Sequence, residues 1–224
     1  MGDEILMEVR NISKKFKKKT IFEGINIRIK RGEIIGIIGA SGAGKSVLIK
    51  TLNGFYKPSL GEVNIKSIQD MPIGTSTQHN SLYRNLTAGQ NLDYFAKISG
   101  IKKKERKKII DNLFKKMGIA QYEKILVKKL SGGTKKRVDI SCAILKNPDI
   151  LILDEPFLGL DPPLVKSLSK FIREYALQGK TVIISSHRTE ELSLLCSRML
   201  AMVNKNMYTI NKNQIPQVYL IKNG

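Results

Sequence analysis

The sequence predicts an α/β fold built on a parallel sheet, on three observations. Residues 34–38, 150–153 and 181–184 are short runs rich in Ile, Leu and Val that do not alternate with polar residues, the pattern of strands buried on both faces. Each run is followed by a turn and a helix-compatible stretch, the alternation that crossovers between parallel strands require. Between the first and second runs, residues 86–130 carry helical periodicity. A chain of 224 residues is long enough for one well-buried core, or one core with an inserted subdomain, and a single domain is expected.

Taken in order, residues 5–9 read as a strand and residues 25–30 alternate apolar and polar at period two. Between them Lys15-Phe16-Lys17 places an aromatic in a basic loop. Residues 33–38 form the first buried strand and residues 47–52 a helix; residues 62–66 are a short alternating strand, and residues 73–78 a brief, polar one ending in Gln78. Within the helical stretch Ile109, Ile110, Leu113, Phe114 and Met117 make one apolar stripe on a strongly basic helix. A helix over residues 134–145 leads to the strand at 150–153, a helix over 163–175, the strand at 181–185, a helix over 189–196 and a β-like run over 199–210.

Composition bounds the partners. Lys and Arg number 39 against 19 Asp and Glu, a net charge of +20, with lysines concentrated at 14–19, 102–108 and 128–136. The excess fits an anionic lipid surface, nucleic acid, or no more than nucleotide phosphates and solvent. The basic runs lack interleaved aromatics, which counts against nucleic acid. Lysines on the basic helix also fit a plain solvated face. No apolar stretch approaches the ~20 residues needed to span a bilayer, and the N-terminus lacks a basic segment followed by an apolar one, so the protein is expected to be neither secreted nor integral. Cys142 and Cys196 show no metal or redox spacing and are expected to be buried thiols in a reducing cytosol.

The most specific motif is Gly39-Ala40-Ser41-Gly42-Ala43-Gly44-Lys45-Ser46, followed by Val47, which matches G-x-x-x-x-G-K-[ST] between a strand and a helix. There a glycine-rich backbone lets several N–H groups converge on a β-phosphate at a helix N-terminus, Lys45 reaches the β/γ oxygens, and the Ser46 hydroxyl can ligate Mg²⁺. Leu130-Ser131-Gly132-Gly133 then opens a helix, Asp154-Glu155-Pro156 ends the second buried strand, Gly159-Leu160-Asp161 follows, and Ser185-Ser186-His187 ends the third.

In this order the motifs closely resemble the nucleotide-binding domain of the ATP-binding cassette (ABC) family, along essentially the whole chain. The resemblance implies a phosphate-loop NTPase with a RecA-like parallel sheet core, an N-terminal antiparallel β subdomain (core and β subdomain about 1–78 and 148–224) and an inserted helical subdomain (about 79–147). It implies ATP and Mg²⁺, with Ser46, Gln78 and Asp154 at the metal. Glu155 would orient or deprotonate the attacking water and His187 would hydrogen-bond the γ-phosphate. Adjacent buried acids can also be a structural pair, but two of them after four apolar residues need a cation nearby. Phe16 would stack on adenine; an ordinary surface or core phenylalanine is the other reading. Ser131, Gly132 and Gly133 would form a second anion site serving the ATP of a partner subunit, homologous or identical, so that ATP closes a head-to-tail dimer. Thr134 replaces the Gln usual after LSGG, and the connection before Gln78 is shorter than in most members.

A lone cassette resembles the peripheral ATPase subunit of a transporter whose integral membrane subunits are separate chains, seated on the cytoplasmic face of the membrane. Residues 82–100 and 157–162 look like exporter-type members. Two rival readings are a soluble ABC motor acting on ribosome or nucleic acid, motivated by the charge, and a non-hydrolysing nucleotide sensor, motivated by the short segment before Gln78 and by Thr134.

Overall fold

The structure, a computed structural model, describes residues 4–67, 69–78 and 81–211. The expected core segment's ends at 1–3 and 212–224 lie outside them, as does its boundary with the helical segment at 79.

Two sheets share the chain. Strands β1 (Ile5–Phe16), β2 (Lys19–Lys30) and β4 (Leu60–Ile65) form an antiparallel sheet in the order β2-β1-β4. The first two are much longer than their sequence patterns, because register shifts between Val9 and Ile12 and again around Lys14 break the period-two alternation without ending the pairing. Phe16 is consequently the last residue of a strand and not part of a loop.

The second sheet has the order β5-β6-β7-β3-β8-β9, from β3 (Ile34–Gly39), β5 (Ile73–Ser76), β6 (Ile150–Asp154), β7 (Thr181–Ser185), β8 (Arg198–Val203) and β9 (Asn206–Ile210). Pairings from β5 through β8 are parallel, as the buried runs predict; β9 is antiparallel. The β-like run at 199–210 is therefore two strands, divided by a two-residue turn whose residues Asn204 (φ 47°) and Lys205 (φ 68°) both adopt the left-handed conformation that hairpin twist favours.

Alternate residues of the large sheet feed two cores. Ile35, Ile37, Ile150, Ile152 and Ile183 pack with β1, β2 and helix α1 (Lys45–Leu52). Ile34, Ile38, Leu151, Leu153, Val182 and Ile184 pack with the helices on the opposite face. That second core is continuous with α2 (Ala88–Ile98), α3 (Lys103–Lys116), α4 (Gly132–Ala143) and α5 (Pro162–Leu177), while α6 (Thr189–Leu195) covers β3. The stripe on α3 is real: Ile110, Phe114 and Met117 are buried and Ile109 and Leu113 pack against them, leaving the lysines outward. Among the described residues no helix is long and apolar enough to cross a membrane.

Candidate functional site

At the C-terminal edge of the parallel strands, β3 leads directly into the 39–46 loop and α1. Gly44, the residue before α1, holds φ 103°, and a Cβ there would come 2.8 Å from Ile21 Cγ2, so both conformation and space demand glycine. Lys45 is almost buried; its Nζ donates to the carbonyls of Gly39 (2.8 Å) and Ala40 (3.2 Å), which folds the ammonium over the loop. The backbone thus presents a concave glycine-rich turn at a helix N-terminus, with one buried cation beside it, the arrangement that binds phosphate.

β6 and β7 end side by side and carry the acids. Asp154 pairs in register with Ser185, whose hydroxyl donates to Asp154 Oδ1. Glu155 follows at φ 49°, a left-handed backbone rarely taken by glutamate, and its N–H donates to the Ser185 carbonyl at 3.0 Å. His187 donates its backbone N–H to Glu155 Oε2 (3.3 Å), and its Nδ1 lies 2.9 Å from the same oxygen. Asp154 and Glu155 are 3% and 8% exposed, so both carboxylates sit where a cation or polar partner is needed.

One cleft of about 1020 Å³ brings the loop residues 39–47 together with Gln78, Glu155 and His187. Asp154, expected at the metal, is not among the cleft's lining residues; it is the residue before Glu155 and is hydrogen-bonded to Ser185. Sequence reading missed Lys19, Thr20 and Ile21 from β2 and Met202, Val203, Asn204 and Lys205 from the β8–β9 hairpin, which also line it. The Glu23 N–H donating to the Lys205 carbonyl at 3.0 Å ties these two segments, and the pair of extra lysines adds positive charge to the cleft.

Four more of the expected contact residues lie outside the cleft, three of them as expected of a turn that would serve a partner subunit. Phe16 does not line the cleft; its ring meets Tyr56 edge-on at 5.2 Å and lies under Lys14 Nζ at 4.9 Å. Ser131, Gly132 and Gly133 begin α4 away from the cleft. The Ser131 hydroxyl accepts from the Thr134 N–H at 3.2 Å and contacts the Thr134 hydroxyl at 3.0 Å, so Thr134 is buried as part of the helix cap. Gly133 packs under Leu164, whereas a Cβ on the exposed Gly132 would meet nothing within 4 Å. Gly132 has no packing reason within this chain to be glycine.

A family model described as "ABC transporter" matches residues 22–158. An uncharacterized ABC transporter ATP-binding protein of Methanocaldococcus jannaschii is 36% identical over 194 residues, covering 87% of this chain and 72% of that protein. The linearmycin resistance ATP-binding protein of Bacillus subtilis and a methionine import ATP-binding protein of Halalkalibacterium halodurans are each 33% identical, and the chain spans 65% and 63% of their lengths. Among solved structures, cbiO1 from Clostridium perfringens, part of the ABC transporter complex cbiONQ, superposes with a TM-score of 0.83 at 28% identity over 96% of this chain and 92% of its own.

Proposed function

The chain belongs to the ABC transporter family as an ATP-binding subunit, a class of ATPases, and from that premise we propose that it works as one half of a head-to-tail pair that closes on two Mg-ATP and drives a substrate through separate integral membrane subunits. The carrying observation is the contrast between two helix N-termini. That of α1 is enclosed in a cleft with its own cation and acids, whereas that of α4 ends in the exposed, capped pair Ser131 and Gly132 with open space before it. An anion bound at α4 would have to arrive with another chain.

In this reading Lys45 and the loop N–H groups hold the β- and γ-phosphates, and the lysines at 19 and 205 add charge around them. Ser46 and Asp154 are hard oxygen donors of the type Mg²⁺ takes, with Gln78 facing the same space, and the ion would neutralise charge between the β- and γ-phosphates. Glu155, gripped by His187 on one side and by the Ser185 carbonyl through its backbone on the other, is the base or orienting group for the attacking water, and His187 is placed to meet the γ-phosphate. Phe16, exposed at the end of β1, is retained as the adenine-stacking candidate. Residues 79–147 serve as the helical arm and the subunit docks at the cytoplasmic face of a membrane. The relatives at 33% identity are named for resistance and for import; we assign export on the exporter-type likeness of residues 82–100 and 157–162.

Mixing mutants tests the arrangement. Ser131→Arg should leave ATP binding by the monomer nearly intact yet abolish ATP-induced dimerisation and turnover, and Lys45→Ala should not dimerise either. Combined, they form one composite site from Lys45 of the first chain and Ser131 of the second, so ATP-dependent association should return by light scattering. A mixture as monomeric as its parents at saturating ATP rejects the head-to-tail arrangement, and loss of monomer ATP binding in Ser131→Arg rejects a second anion site acting in trans.

A further inference from the structure

Helix α4 carries two charged residues one turn apart, Lys136 and Asp139, that are only 7% and 5% exposed although they lie beside a lysine-rich run. Lys136 Nζ donates to the Thr77 carbonyl at 2.8 Å. Asp139 accepts from the Ser76 hydroxyl at 2.5 Å and from the Ser81 N–H at 3.1 Å. These three partners bracket Gln78: Ser76 ends β5, Thr77 directly precedes the glutamine, and Ser81 lies three residues beyond it. Further along, α4 rests so closely on β5 that a Cβ on Gly74 would come 2.0 Å from the Ala143 carbonyl oxygen, a contact only glycine permits.

Burying an ammonium and a carboxylate is unfavourable unless polar partners replace water, and an apolar pair would fill the same volume without that loss. Here the replacement comes from the segment that holds Gln78. Burial pushes Lys136 below the usual lysine range, while Asp139, Asp154 and Glu155 pull it back toward the charged form, so the ammonium also sits in the field of the cleft acids. Burial likewise pushes Asp139 up, and the Ser76 hydroxyl opposes it.

We propose that Lys136 and Asp139 are positioning residues for Gln78, fastening both flanks of the glutamine to the helix whose first residue follows Ser131. At the rise of an α-helix they lie about 7.5 and 12 Å along the axis from Ser131, within one rigid element, so a contact made at Ser131 and the placement of Gln78 are mechanically one event. The inference rests on the reading of Gln78 as a residue that meets the metal and the attacking water.

The test is a double-mutant cycle on steady-state ATPase activity of the full chain, with Gln78→Ala, Lys136→Met and their combination. Lys136→Met should lower kcat by roughly tenfold, the scale of a slightly misplaced catalytic group, while KM for ATP changes less than about twofold. On the Gln78→Ala background it should lower kcat no further. Lys136→Arg, which can still donate to the Thr77 carbonyl, should restore most of the activity, a rescue that a loss of general stability would not show. Losses that multiply in the double variant, or an unchanged kcat in Lys136→Met, overturn the proposal. The same non-additivity is required of Asp139→Asn, which keeps an acceptor for the Ser81 N–H and supplies the test should Lys136→Met not fold. An unaltered kcat in Gln78→Ala instead rejects the reading of Gln78 from which the inference starts.

Discussion

Two helices of this chain begin with glycine-bearing turns, and their surroundings differ. The turn before α1 shares a cleft with residues of β2, the segments just after β6 and β7, and the β8–β9 hairpin, and its cation is held by its own carbonyls. The turn before α4 has its serine engaged in the cap, Gly132 facing nothing and Gly133 packed on α5. A helix N-terminus attracts anions in both cases. Only the first has walls that could select one, which teaches that an anion-attracting terminus becomes a site only where the fold encloses it.

The sharpest break of this contrast removes the acid from the complete site. Glu155→Gln should keep Mg-ATP binding and lower turnover by roughly 10²-fold or more, the scale of a positioned general base. With ATP unhydrolysed, the variant should accumulate as a dimer by light scattering; retained turnover would remove Glu155 from the mechanism. A smaller effect is expected from Lys45→Ala, which deletes charge-assisted bonds of about 1.5–3 kcal/mol and should weaken ATP binding roughly 10- to 100-fold by calorimetry. Affinity like that of the unmodified chain would refute the cradle. The smallest effect concerns neither turn. The exposed lysines of α3 should give the isolated subunit weak binding to phosphatidylserine vesicles, at about 1 kcal/mol per engaged lysine, falling steeply with salt. Tight, salt-resistant binding would make the basic helix a third anion surface of equal standing.

The legible parts of the site are those whose chemistry is contiguous in sequence. Residues 39–46 declare themselves because strand, loop and helix follow one another, and Asp154, Glu155 and His187 because each ends a buried apolar run. The walls contributed by Lys19, Thr20, Ile21 and the turn at Asn204 and Lys205 were not legible, since they meet only when β9 packs beside β2, a contact between residues nearly two hundred positions apart. The long strands β1 and β2 were shortened in the sequence reading because bulges interrupt their alternation. Lys136 was hidden for another reason. In a run of lysines periodicity says which residues share a face, but only the tertiary fold decides that one of them is pressed against the Thr77 carbonyl.

Glu155 holds a backbone conformation that works against its own residue type. Its left-handed backbone costs about 1–3 kcal/mol for most residues with a Cβ, and glycine, or asparagine with its short polar side chain, would occupy the same φ with less strain. If Glu155 is the base proposed above, drift toward greater folding stability would run through loss of the acid: a glycine variant at this position should gain stability and lose turnover. On that role, Glu155 would persist only where natural selection on activity outweighs that slope, so in a lineage released from transport it should be among the first residues to go, well before Gly44 of the phosphate loop, whose conformation and space both demand glycine.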